Sequence, residues 1–135
     1  MGTLLISCSD GRLSAALDEL LRQLDAQDAD RFLVPGGPLA LTRTGAERRV
    51  TKDDVASIVA IHAIRRIVLV SHQDCFAYER ILGGPGFDQM EILERDLLRA
   101  KTLVEQEFLG VHAECYVVSS REGEGAAPAP ARRVD

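Results

Sequence analysis

The sequence predicts a single α/β domain built on a mostly parallel sheet with flanking helices. Short apolar runs alternate with longer segments of helical period, and clusters of glycine and proline separate them. One run, Ile67-Val68-Leu69-Val70, is aliphatic throughout, as expected of a strand covered on both faces in the middle of a parallel sheet. At 135 residues the chain has the length of one domain, assigned to residues 1–120.

Residues 3–7 open the chain as a short apolar strand, and Leu13, Leu17, Leu20, Leu21 and Leu24 then recur at helical spacing. Phe32, Leu33 and Val34 form a brief second strand, stopped by the turn Pro35-Gly36-Gly37-Pro38. Thr51 with Asp54 resembles a capping box, so a buried helix marked by Val55, Ile58, Val59 and Ile61 is expected to run to about Ile64. The strand at 67–70 follows. Gly83-Gly84-Pro85-Gly86 breaks the chain before Met90, Leu93, Leu97, Ala100, Val104 and Phe108 trace one face of a long helix, with Glu91 and Arg95 spaced for an exposed pair. Gly110 ends that helix, and a last strand covers 111–118. Residues 121–135 are rich in Gly, Ala and Pro without apolar period, and are expected to be a disordered tail.

A net charge of -5 and a pI near 5.2 leave no basic footprint for a phosphate backbone, and arginines such as Arg48, Arg49, Arg65 and Arg66 fall in scattered pairs. A nucleic-acid partner is not expected. No apolar run approaches the ~20 residues that span a bilayer, so no membrane partner is expected either. Three cysteines match no disulfide framework of a small secreted domain, which predicts reduced thiols and a cytoplasmic protein.

Cys8-Ser9-Asp10-Gly11-Arg12 and His72-Gln73-Asp74-Cys75 each follow an apolar run. In open α/β sheets ligands gather beyond the carboxyl ends of strands at a topological switch point, and Cys8 and His72 are both predicted at such ends. Two thiolates and an imidazole form the mixed sulfur and nitrogen set that zinc prefers, with one tetrahedral position left for water or a carboxylate. Each motif also has a plainer reading. A lone buried cysteine is often just a small hydrophobe, and Asp10 followed by glycine can simply cap the next helix. A reactive Cys8 thiol beside a helix N-terminus is a third reading. His62, His112 and Cys115 belong to neither motif and are left out of the site, while Tyr78 reads at least as readily as core packing as it does as a pocket wall.

The motifs Cys-x-Asp-x-Arg and His-x-x-Cys, in this order, resemble the β-class carbonic anhydrases, in particular a compact prokaryotic branch. The resemblance spans nearly all of the chain before the tail and includes Thr51-Lys52-Asp53-Asp54-Val55-Ala56-Ser57-Ile58 leading into the strand before His72. It implies a β-carbonic anhydrase-like fold, a Zn2+ cofactor on Cys8, His72 and Cys75, catalytic roles for Asp10 and Arg12, carbon dioxide and bicarbonate as small-molecule substrates, and a homodimer or higher homo-oligomer. Asp10 then either orients the zinc water or swings onto the metal and closes the site.

Two departures bear on the reaction. Leu33-Val34-Pro35-Gly36-Gly37 replaces the family's usual Arg-Asn-Ala-Gly, so only the glycine turn survives, and Phe76 stands where a glycine is usual. Gly36, Gly37 and Phe76 are therefore taken as substrate-pocket residues, with the Phe76 ring narrowing the pocket. The alternatives are a zinc protein without turnover, a hydrolase of carbon disulfide or carbonyl sulfide, and a metal-free thiol protein.

Overall fold

The apolar run at the amino end extends as strand β1, Gly2–Cys8, buried from Leu4 onward. The computed structural model describes residues 2–43, 45–73, 75–77, 80, 89–118 and 131–135. Asp10 closes the turn after β1 by accepting a hydrogen bond from the Arg12 amide, and a 3-10 turn, Gly11–Leu13, leads into α1, Ser14–Gln23. Ala16, Leu17, Leu20 and Leu21 form the inward face of α1, as the leucine spacing predicted. Strand β2, Asp30–Val34, follows, and the Arg31–Asp18 ion pair ties it to α1.

A four-residue helix, α2, Leu39–Thr42, begins directly after the glycine turn; nothing so short carries a period, and it was not foreseen. Helix α3, Ala46–Ile61, starts a full turn before the expected capping box. Gly45 occupies its N-cap, and Thr51 is a buried interior residue 7 % exposed, because residues 46–50 include no helix breaker. The expected end is also corrected: Ile61 is 76 % exposed, off the stripe of Thr51 and Val55, and Ile64 already belongs to the next strand.

Strand β3, Ile64–His72, helix α4, Gln89–Glu107, and strand β4, His112–Val118, match the remaining expectations within a few residues. Leu93, Leu97, Ala100 and Val104 are the buried stripe of α4, which packs on β3 and β4. The turn expected at 83–86 and residues 121–130 of the tail lie outside the described residues. The end of the tail is not disordered: Arg132–Val134 forms strand β5, antiparallel to β4. Val134 is buried beside Cys115, and Arg132 pairs with Glu94 of α4, a long-range fit that a three-residue strand does not announce locally.

The sheet order is β2-β1-β3-β4-β5, parallel throughout except for β5. Strand β1 lies between its neighbours, with Ile6 beside Phe32 on one side and Leu69 on the other. Leu4, Leu5 and Ile6 of β1 and residues 67–70 of β3 are fully enclosed. Burying each such side chain contributes about 1.5–3 kcal/mol, so the two central strands, and the ends that carry the site, are the most firmly held part of the chain. One polar network sits within this frame. Arg66 meets both carboxylate oxygens of Glu114 at 2.9 Å, and the Tyr116 hydroxyl donates to the same carboxylate at 3.0 Å. Burial opposes ionisation of Glu114, but the Arg66 and Tyr116 hydrogen bonds outweigh it and hold the carboxyl below its ordinary range.

Candidate metal centre

Cys8 is the last residue of β1 and His72 the last of β3. After β1 the chain moves to β2 on one side, and β3 then returns on the other side of β1, so the carboxyl ends of these two strands flank the topological switch point. Cys75 follows three residues after His72. All three side chains are buried, and one ligand atom from each lies within 4.8 Å of the others.

The His72 ring is 1 % exposed, and its Nδ1 lies 2.8 Å from the Gln73 carbonyl oxygen. That carbonyl can only accept, so Nδ1 carries a proton, and in the neutral ring the lone pair falls to Nε2. Nε2 is buried and, among the described residues, has no hydrogen-bond partner. An unsatisfied buried polar atom costs on the order of 1–3 kcal/mol, and a cation shared with two thiolates is the partner this nitrogen fits.

The thiol of Cys8 is already prepared as a thiolate. A hydrogen bond from Cys75, joined by the backbone amides of Gly36 and Asp10, outweighs desolvation and brings its pKa from 9.0 to about 4. The Gly36 amide lies 3.4 Å from Cys8 Sγ. Two thiolates with a neutral imidazole are the donor set of a zinc site, and the residues present fit that ion.

The glycine turn reaches the site through its backbone. Gly36 and Gly37 have φ of +81° and +57°, and a Cβ on Gly37 would stand 2.7 Å from the Cys8 nitrogen. Both glycines thus bring backbone against Cys8, Gly36 through its amide and Gly37 through its lack of a side chain. Phe76 is 70 % exposed. Tyr78 and Asp74 lie outside the described residues.

Asp10 and Arg12 form a two-toothed ion pair, with Arg12 Nε 3.0–3.1 Å from both carboxylate oxygens and Nη2 at 2.7 Å. This hydrogen bonding, reinforced by the Arg12 amide, lowers the Asp10 pKa from 3.8 to about 2. Asp10 is therefore both the cap of the 3-10 turn and the partner of Arg12, and it stands outside the three-residue cluster.

The residues left out of the site lie elsewhere. His62 pairs with Asp30 near the start of β2, His112 lies 3.2 Å from Glu105, and Cys115 donates to the Leu97 carbonyl. Burial pushes the Cys115 thiol up to about 11. Two contributors carry no side-chain signal in the sequence: the Gln73 carbonyl and the Gly36 amide, both backbone groups.

No protein-family model matches the sequence. An uncharacterized protein of Rickettsia conorii is 30 % identical over 116 residues, covering 78 % of this chain and 61 % of that relative. A second, from Rickettsia bellii, is 28 % identical over 113 residues, covering 78 % and 69 %. The chain thus spans about three fifths of the first relative's length. The crystal structure of a β-carbonic anhydrase from Aspergillus fumigatus superposes with a TM-score of 0.61 at 15 % identity, over 98 % of this chain and 74 % of that one. Carbonic anhydrases of Streptococcus mutans and Glaciozyma antarctica each give 0.54, at 18 % and 10 % identity, over 98 % of this chain and 81 % of theirs. The chain shares the fold of the β-carbonic anhydrases, and at the carboxyl ends of its two central strands it carries a Cys-His-Cys group able to hold a metal ion.

Proposed function

We propose that this protein is a zinc lyase that hydrates carbon dioxide reversibly to bicarbonate, with Cys8, His72 and Cys75 as metal ligands. The observation that carries the reading is the buried Nε2 of His72, which among the described residues has no hydrogen-bond partner and lies within reach of two thiols. The fold shared with carbonic anhydrases and the adjacent Asp10–Arg12 pair support it.

A zinc ion held by Cys8, His72 and Cys75 would supply Lewis acidity and would lower the pKa of a water beside it. Two thiolates leave that ion nearly neutral in charge, so the chain's own groups have more to do than at a three-histidine site. Asp10, with a pKa of about 2, holds no proton at neutral pH. It acts as a hydrogen-bond acceptor that orients water, and Arg12 keeps the carboxylate ionised and in place. The proton released by hydration leaves to solvent.

Phe76, exposed beside Cys75, becomes a wall of the substrate path where a second copy covers it, which fits a homodimer. The three free cysteines fit residence in a reducing cytoplasm. Among the described residues no helix is long and apolar enough to cross a membrane.

The test is indicator-coupled stopped-flow measurement of carbon dioxide hydration, with zinc counted per chain. We expect one zinc and hydration above buffer, both lost in Cys75→Ser. One zinc without hydration would reduce the protein to a non-catalytic metal binder, and sulfide release from carbonyl sulfide in its place would reassign the substrate. Absence of zinc binding would leave a thiol protein.

A further inference from the structure

A cleft of about 190 Å³ opens between α2, α3 and α4, apart from the Cys8–His72–Cys75 cluster. Leu41, Val104 and Phe108 give it an apolar floor, with Val104 2 % and Leu41 6 % exposed. Arg48 and Lys52, four residues apart on α3 and so on one face of it, supply two cations at the same cleft. Glu107 of α4 also lines it and meets Lys52 at 2.9 Å.

The three charged groups sum to one net positive charge on a protein whose formal net charge is -5. Lys52 spends one of three donors on Glu107, and Arg48, among the described residues, has no hydrogen bond or ion pair. A guanidinium beside an apolar floor, without a partner among the described residues, is half of a carboxylate-recognition site. At about 190 Å³ the cleft lies below the roughly 300–1,000 Å³ of pockets for drug-sized ligands, a size for a short-chain acid rather than a nucleotide or a peptide.

We propose that this cleft binds a small organic monocarboxylate, its carboxylate bridging Arg48 and Lys52 and its hydrocarbon part lying on Leu41, Val104 and Phe108. Both halves of the ligand are required. A bare anion leaves the floor wet, whereas a neutral alcohol of equal length leaves Arg48 unpaired.

Calorimetric titration of the 135-residue, zinc-loaded chain with sodium butyrate at fixed chloride tests this. We expect saturation at one butyrate per chain, at least tenfold weaker binding of formate and of butanol, and no binding of butylammonium. Arg48→Gln should weaken butyrate at least tenfold while leaving zinc content unchanged, and Arg48→Lys should recover part of the loss. Equal binding of butyrate to Arg48→Gln would overturn the proposal, because an anion held at the metal centre would behave in that way. Formate binding as tightly as butyrate, or no saturable butyrate heat, would overturn it as well.

Discussion

The backbone amide of Gly36 is directed at the sulfur of Cys8, 3.4 Å away across 28 residues of sequence. The glycine turn thereby stabilises the thiolate of one proposed metal ligand, and its geometry depends on having no side chain at the following position. At Gly37 a Cβ would approach the Cys8 nitrogen at 2.7 Å and the Ser7 carbonyl carbon at 2.8 Å, both rigid backbone. The left-handed φ alone costs a non-glycine residue roughly 1–2 kcal/mol. We expect Gly37→Ala to destabilise by at least about 2 kcal/mol in urea unfolding and to lower zinc content. An unchanged urea midpoint would contradict this account of the turn.

Thiol reactivity should separate the three cysteines. In protein stripped of metal, Cys8, with its pKa near 4, is expected to be alkylated by iodoacetamide well before Cys115, whose pKa is pushed to about 11. Added zinc should protect Cys8 and Cys75 while leaving Cys115 as slow as before. Mass-spectrometric mapping of the label reads the order, and faster labelling of Cys115 would refute it.

The Asp10–Arg12 pair has a signature in acid. The folded-state pKa of Asp10 lies below its ordinary value, from 3.8 to about 2, so the pair stabilises the native state at all higher pH and the contribution fades as pH falls through that interval. Asp10→Asn should flatten the stability profile between about pH 4 and pH 2, measured by denaturant titration at fixed ionic strength. If the slope in that window is the same in both proteins, Arg12 does not hold the carboxylate as described.

Glu114 is 9 % exposed and depends on Arg66 for its charge. Removing one side of a buried pair strands the other, so Arg66→Met should cost about 3 kcal/mol at neutral pH, the low end for such a break because Arg66 keeps some solvent contact. The loss should shrink as pH falls and Glu114 protonates. The double variant Arg66→Met with Glu114→Gln should recover much of the stability, and a double variant as weak as the single would show that packing, not charge, dominates.

Ala63 sits in the left-handed region at φ 50° just after the C-cap of α3, a position that glycine occupies without a Cβ penalty. Ala63→Gly should raise stability by up to about 1 kcal/mol. A lower melting temperature would mean that the Ala63 methyl contributes packing that outweighs its strain.

Much of the architecture was legible in the chain because the signals are periodic and local. The all-apolar 67–70 run declared a central strand, and Leu93, Leu97, Ala100 and Val104 declared the inner face of α4. The start of α3 was misread because Thr51 and Asp54 satisfy a local pattern, while the buried environment of Thr51 is a tertiary fact. The four residues of α2 and the three of β5 are too short for any period to emerge; β5 exists because Val134 finds Cys115 and Arg132 finds Glu94.

The identities of Cys8, His72 and Cys75, the places of Cys8 and His72 at strand ends, and hence the kind of ion the three suit were determined by the sequence alone, since donor chemistry is a property of residue type. Only the tertiary structure decided that three atoms separated by up to 67 residues come within 4.8 Å, that the His72 Nε2 is buried while the Gln73 carbonyl accepts from Nδ1–H, and that Gly36 donates to Cys8. The reason is physical: strand order and backbone hydrogen bonds arise from how the whole sheet buries its apolar surface, and no short stretch of chain encodes them by itself.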